Sequence, residues 1–236
     1  METPATWQGR PLTAVLFDLD GTLLDTVDDI ALALNESLAE RGFGALSTAA
    51  VGRLIGRGAP TLVARALGQL GRPATQFEVE ALLGRFCANY ERLYAGGGSR
   101  ALPFRGVESG LRVLRGAGLR LGVVTNKQRR FAVGLLERHG LAPWLDAVVG
   151  GDTCGQRKPD PRPLQHACEL LQVASTAALM VGDSDTDVLA ARAAGMPVAC
   201  VPYGYNEGRG ADTLSCDALV ASLADLPALL GLATGS

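Results

Sequence analysis

At 236 residues and 47% apolar side chains, the chain has enough material for one large domain or two small ones around a sizeable core. Its net charge of −2, without any basic block, argues against nucleic acid as a partner, and its longest apolar runs are too short to span a bilayer, so no membrane partner is expected. The five cysteines are scattered without a Cys-x-x-Cys pair, and METPATWQGRPL lacks the charged start and apolar core of a signal peptide; both point to reduced thiols in a cytoplasm.

Residues 1–11 read as a frayed lead-in. The apolar run Ala14–Phe17 then stops at a carboxylate, which predicts a strand over about 14–19, buried on both faces of a parallel sheet. Strand side chains alternate, so Asp18 and Asp20 share a side at its C-terminal end, and Gly21 permits a tight turn. Paired carboxylates repel unless a cation binds or one takes a proton. Thr26-Val-Asp-Asp29 has the spacing of a capping box and opens a helix with Ile30, Leu34 and Leu38 at helical spacing, ended by Gly42. From residue 24 to about 96 the pattern is helical throughout, and Gly96–Ser99 reads as a linker.

Beyond residue 99, predicted helices over about 107–117, 128–139, 161–172 and 185–194 alternate with apolar strands at 121–126, 146–150, 177–183 and 197–201. Strand–helix alternation means a parallel sheet with helices on both faces. The first strand belongs to that sheet, so the helical stretch is an insertion. The expected fold class is α/β: a Rossmann-like parallel sheet core (1–23 and 99–236) with an inserted all-helical cap domain (24–98, with linkers).

Polar residues at the strand ends are the candidate site. Thr125 and Asn126 offer a hydroxyl and an amide to an anion. Lys158 is followed by Pro159 and Pro161, and 20 of the 22 basic residues are arginine, lysine occurring only at 127 and 158; a lysine here reads either as a compact charge that chemistry needs or as a solvated surface group. Asp183 ends an apolar strand as Asp18 does, which favours a hard cation held by carboxylates and water. Asp187 also fits a capping box with Ser184. Arg53 and Arg57, near Gly56 and Gly58, either face an anionic substrate or mark a helix-to-helix turn. His139 and His166 have no partner at metal-ligand spacing and read as structural.

Asp18-x-Asp20-Gly21-Thr22, Thr125-Asn126, Lys158-Pro159 and Gly182-Asp183-x-x-x-Asp187, in this order, resemble the haloacid dehalogenase-like superfamily, and the insertion looks like its helical C1 cap. Within it, Ile55–Ala59, Val123–Lys127, Gly150–Thr153 and Tyr203–Asn206 are most similar to bacterial phosphoglycolate phosphatases, with Arg57 where asparagine is common and Gln128 where proline is. The resemblance implies a Mg²⁺-dependent phosphatase acting on a small anionic phosphate ester, 2-phosphoglycolate first, through an aspartyl-phosphate. It implies Asp18 as nucleophile and metal ligand, and Asp20 as general acid and base with its backbone carbonyl on the metal. Asp183 would be the third metal ligand, Thr125, Asn126 and Lys158 would hold the phosphoryl group, and Asp187 would orient from behind. Another sugar-phosphate phosphatase, for instance one acting on N-acetylmuramate 6-phosphate, or a phosphomutase shares these motifs. A dehalogenase would not need Asp20 or a metal, a phosphonate hydrolase would need a cap lysine that residues 24–96 lack, and a non-catalytic binding protein would have lost a carboxylate. The enzyme is expected as a monomer or homodimer.

Overall fold

The computed structural model describes residues 4–232. Its strands are β1 (Thr6–Trp7), β2 (Arg10–Pro11), β3 (Ala14–Phe17), β4 (Leu24–Asp25), β5 (Leu102–Pro103), β6 (Arg120–Val124), β7 (Ala147–Val149), β8 (Ala178–Gly182), β9 (Val198–Cys200) and β10 (Ala218–Leu219). Its helices are α1 (Val27–Ala39), α2 (Thr48–Gly52), α3 (Ala59–Gln69), α4 (Gln76–Ala95), α5 (Val107–Gly116), α6 (Arg129–Arg138), α7 (Arg162–Leu171), α8 (Asp185–Ala193) and α9 (Leu226–Leu229).

Six strands form one parallel sheet in the order β10-β9-β8-β3-β6-β7, with β3 central as its uninterrupted apolar run requires. Its side chains alternate between two cores. Val15 and Phe17 pack with Leu111 of α5 and Leu135 of α6, while Ala14 and Leu16 pack with Leu164 of α7 and Ala191 of α8. All four strand residues are fully buried. Truncating one such aromatic, Phe17→Ala, would cost about 3–5 kcal/mol. The register sets Phe17 beside Val123 and Val181, so the chain leaves β3, β6 and β8 at one sheet edge, where α/β sheets bind ligands.

The insertion is helical from α1 to α4 and has its own core. Ile30, Leu34 and Leu38 of α1 meet Leu82, Phe86 and Tyr90 of α4, both sets repeating every four residues along one helix face. Ser47 caps α2 by accepting from the Ala50 N–H (3.2 Å), and Thr75 caps α4 by accepting from the Glu78 N–H (3.3 Å). Gly42 takes φ +69° as the chain leaves α1.

Four features differ from expectation. Residues 6–11 are not frayed: β1 pairs antiparallel with β2, Trp7 is buried, and the Thr6 N–H reaches the Leu230 carbonyl. The short edge strand β10 joins the sheet through β9. The two connections to the insertion pair with each other as β4 and β5. Finally, no capping box forms at α1. The Thr26 hydroxyl turns to Asp20 (2.6 Å), and Asp29 accepts from Tyr94 Oη (3.0 Å), Ser99 Oγ (2.6 Å) and the Arg100 N–H (2.7 Å). Asp29 thereby fixes the returning linker to the outgoing helix.

Candidate active site

Asp18 is the first residue beyond β3, its N–H bonded to the Val181 carbonyl. Its Oδ1 accepts from the Leu19 N–H (2.7 Å) and lies 3.0 Å from Lys158 Nζ, whereas no hydrogen bond to its Oδ2 occurs among the described residues. Gly21 turns the chain at φ +85°, and a Cβ there would sit 2.5 Å from Asp183 Oδ2; only glycine meets both demands. That close approach brings the loop after β3 against the end of β8. Thr22 donates to Asp183 Oδ1 (3.2 Å), and the Tyr205 N–H donates to Asp183 Oδ2 (2.7 Å).

Lys158 is buried, not solvated, and bridges Asp18 to Asp187 Oδ1 at 2.6 Å. Asp187 Oδ2 accepts from Ser184 Oγ (2.7 Å) and its N–H (3.2 Å), so both Asp187 oxygens are engaged. Burial alone would lower the Lys158 ammonium, but Asp18 and then Asp187 outweigh it and raise it. Burial raises the Asp18 carboxyl to about 7, against Lys158 and with help from Asp187 and Asp20. Burial, then the Asp187 and Asp18 charges, raises Asp183 to about 8.

Asp18, Asp183 and Asp187 each place an oxygen within 4.8 Å of the others. Three carboxylates sharing one ammonium leave a deficit of positive charge, and hard oxygen donors at this spacing fit a divalent cation. Both oxygens of Asp187 and both of Asp183 already accept a hydrogen bond, so Asp18 Oδ2 is the one carboxylate oxygen of the cluster without a partner among the described residues.

Asp20 faces a different neighbourhood. Its carboxylate accepts from Thr26 Oγ1 (2.6 Å) and from Lys127 Nζ, at 2.8 Å to Oδ1 and 3.1 Å to Oδ2. Both oxygens of its side chain are therefore engaged. Thr125 is buried, lines the cavity beside Asp18, and accepts from the Lys127 N–H at 3.2 Å.

Two expectations need correction. Asn126 lines the cavity, but its amide donates to the Gly56 carbonyl of the insertion (3.0 Å) and the Lys158 carbonyl (2.9 Å). Its side chain is a strut between two loops, with both amide hydrogens engaged, so the side-chain amide is not free to donate to a phosphoryl oxygen. Arg53 and Arg57 are not among the cavity's lining residues. Arg57 Nε pairs with Glu207 Oε1 (2.8 Å), Arg65 reaches the same oxygen (3.0 Å), and the Arg53 stem lies against Gly208. The loop after β9 thus takes up the positive charge that the turn Gly56–Gly58 seemed to offer a substrate.

The cavity has a volume of about 60 Å³ between the sheet edge and the insertion. Asp18, Asp20, Thr125 and Lys127 lie on one side, and Ile55, Leu62, Phe86 and Tyr90 of the insertion close the other. Lys127 joins the site without having been expected there from the sequence. Its rarity and its place directly after Thr125-Asn126 were the available signals.

This constellation can be compared with known proteins. The sequence signature described as haloacid dehalogenase-like hydrolase matches residues 15–201. The chain belongs to the haloacid dehalogenase-like hydrolases. Among relatives of this hydrolase is the plasmid-borne phosphoglycolate phosphatase of Cupriavidus necator, 48% identical over 222 residues that cover 93% of this chain and 94% of that one. The phosphoglycolate phosphatase of Nitrosospira multiformis is 46% identical, covering 93% and 96%. A crystal structure described as a predicted phosphoglycolate phosphatase from Haemophilus somnus superposes with a TM-score of 0.84 at 28% identity, over 92% of this chain and 97% of that one. No described helix of this hydrolase is long and apolar enough to cross a membrane.

Proposed function

We infer that this hydrolase is a Mg²⁺-dependent phosphatase that converts 2-phosphoglycolate to glycolate and phosphate. The observation that carries the inference is Asp18: a buried carboxylate lining the cavity, with one oxygen fixed by Lys158 and the Leu19 N–H and the other without a partner among the described residues. The relatives named as phosphoglycolate phosphatases, matched over nearly their whole length, supply the substrate.

Asp18 Oδ2 attacks phosphorus, and the bond from phosphorus to the ester oxygen breaks. Asp20 gives its proton to that oxygen, releasing glycolate and leaving an aspartyl-phosphate. A water then attacks phosphorus with Asp20 as its base, the phosphorus–Asp18 bond breaks, and phosphate leaves. Lys158 and the Thr125 hydroxyl hold the phosphoryl oxygens, and Asp187 keeps Lys158 in place. Asp18, Asp183 and the Asp20 carbonyl would hold Mg²⁺, which offsets phosphoryl charge that otherwise repels a carboxylate nucleophile. Residues 1–23 and 99–236 act as the catalytic core and 24–98 as the cap with its linkers. Five unpaired cysteines support a cytoplasmic setting.

The test is phosphate release from a panel of monoesters, including 2-phosphoglycolate and N-acetylmuramate 6-phosphate, with and without EDTA. Preferred turnover of 2-phosphoglycolate, abolished by EDTA and restored by Mg²⁺, is expected. Undiminished turnover in EDTA, or preference for another ester, would overturn the corresponding part.

A further inference from the structure

A phosphate monoester that also carries a carboxylate brings a second anionic group into the cavity. The phosphoryl end would be met by Lys158 and by a cation held at the acidic cluster. Something else must meet the carboxylate, because an unpaired charge against apolar walls is strongly disfavoured. The charged side chains that line the cavity, among the described residues, are Asp18, Asp20 and Lys127. Of the cap arginines, Arg57 and Arg65 are paired with Glu207 and Arg53 lies against Gly208, and none of the three lines the cavity. Lys127 is therefore the one lining cation.

Its setting suits that task. The side chain is 9% exposed, and the ammonium sits on Asp20 and 4.8 Å from the centre of the Tyr90 ring of the cap. An ammonium has three N–H donors. Two contacts, both to Asp20 oxygens, are made here, which leaves donor capacity beside the cavity. The choice of residue is informative as well. The chain uses arginine at 20 of its 22 basic positions, and its two lysines both stand at this site. A compact ammonium on a flexible stem can shift between Asp20 and a second carboxylate where a planar guanidinium could not. Across the cavity stand Gly58 and Ala59 at the N-terminus of α3, with Gly58 at φ +82° and pressed toward the Asn126 carbonyl. A helix N-terminus favours negative charge near it, so the cavity is bordered by Lys127 on one side and by this helix end on the other.

We propose that Lys127 is the specificity-determining residue of this enzyme and binds the substrate's carboxylate, a role that rests on the phosphatase function proposed above. The contrast with mere positioning of Asp20 is measurable. Lys127→Met removes the charge and keeps the stem; Lys127→Arg keeps the charge. For each, kcat/KM is measured on 2-phosphoglycolate and on ethyl phosphate, which has a methyl group in place of the carboxylate. Any effect through Asp20 is shared by both esters, so the ratio isolates the carboxylate. A charged hydrogen bond predicts that Lys127→Met lowers the ratio about 10- to 100-fold. Lys127→Arg should lower it less.

Calorimetry supplies an arm without turnover, using 3-phosphonopropionate and propylphosphonate. The wild type should bind the carboxylate-bearing phosphonate more tightly, and Lys127→Met should erase the difference. An unchanged ratio together with an undiminished binding preference in Lys127→Met would overturn the proposal. Failure of the wild type to hydrolyse either ester would instead overturn the phosphatase function, and the calorimetric arm would still decide whether Lys127 reads the carboxylate.

Discussion

Replacing Lys158 by arginine keeps the charge and tests how closely the site is built around an ammonium. Nζ lies 2.6 Å from Asp187 Oδ1 and 3.0 Å from Asp18 Oδ1, and the residue is 2% exposed. The wider, planar guanidinium must occupy space that the two carboxylates already bound. Overpacking of a buried position costs about 1–3 kcal/mol, so the thermal midpoint should fall by several degrees. The larger effect is on chemistry. Displacing Asp18 by about 1 Å from its line of attack can cost on the order of 10²-fold in rate. Because the contact strengthens as charge develops on the moving phosphoryl group, that loss belongs in kcat more than in KM. Steady-state phosphate release on 2-phosphoglycolate, with a thermal melt of the same sample, measures both. Wild-type kcat in Lys158→Arg would refute the reasoning, because it would show that the chemical step does not depend on the shape of the cation between Asp18 and Asp187.

Three further outcomes follow from contacts away from the reacting atoms. Arg57→Ala removes an exposed pair with Glu207, generally worth about 0–1 kcal/mol, and should change the 2-phosphoglycolate to ethyl phosphate preference by less than about threefold; a tenfold change would return Arg57 to the substrate. Asp29→Ala leaves the Tyr94, Ser99 and Arg100 donors without their acceptor and should cost about 3–5 kcal/mol by urea unfolding; a loss below about 1 kcal/mol would mean that the linker does not depend on it. At Asp146, burial alone would raise the carboxyl, but the Leu121 N–H and the Arg115 and Arg120 guanidinium groups outweigh it and lower it. Its stabilisation is therefore present above the ordinary carboxylate range and lost as pH falls through the lowered value. Asp146→Asn should lower the midpoint at neutral pH and narrow its gap from wild type in acid; a gap independent of pH would contradict this.

The parts of the fold visible in the sequence were those decided locally. β3, β6 and β8 are apolar runs ended by polar residues, and their parallel pairing follows from the helices between them. The elements that escaped notice are two-residue strands. β1, β2, β4, β5 and β10 have no periodicity to read and exist because a partner strand lies alongside. Side-chain assignments failed where a distant partner outbid a near one. Thr26 and Asp29 have capping-box spacing, yet Thr26 turns to Asp20, and Asp29 to donors some 65–72 residues away. Arg57 stands between glycines as a substrate-binding arginine would, but Glu207, 150 residues on, claims it. Asn126 has the chemistry of a phosphoryl donor, and only the folded chain reveals that two carbonyls already use its amide.

The central claim is that Asp18 carries the phosphoryl group, and borohydride reduction of acid-quenched enzyme tests it most directly. An aspartyl-phosphate is an acyl phosphate, which borohydride reduces to homoserine, a change that peptide mass spectrometry locates. Enzyme quenched during turnover of 2-phosphoglycolate should yield homoserine at position 18, and Asp18→Asn should yield none while losing essentially all activity. Homoserine at Asp20 or Asp183, or sustained turnover by Asp18→Asn, would contradict the account.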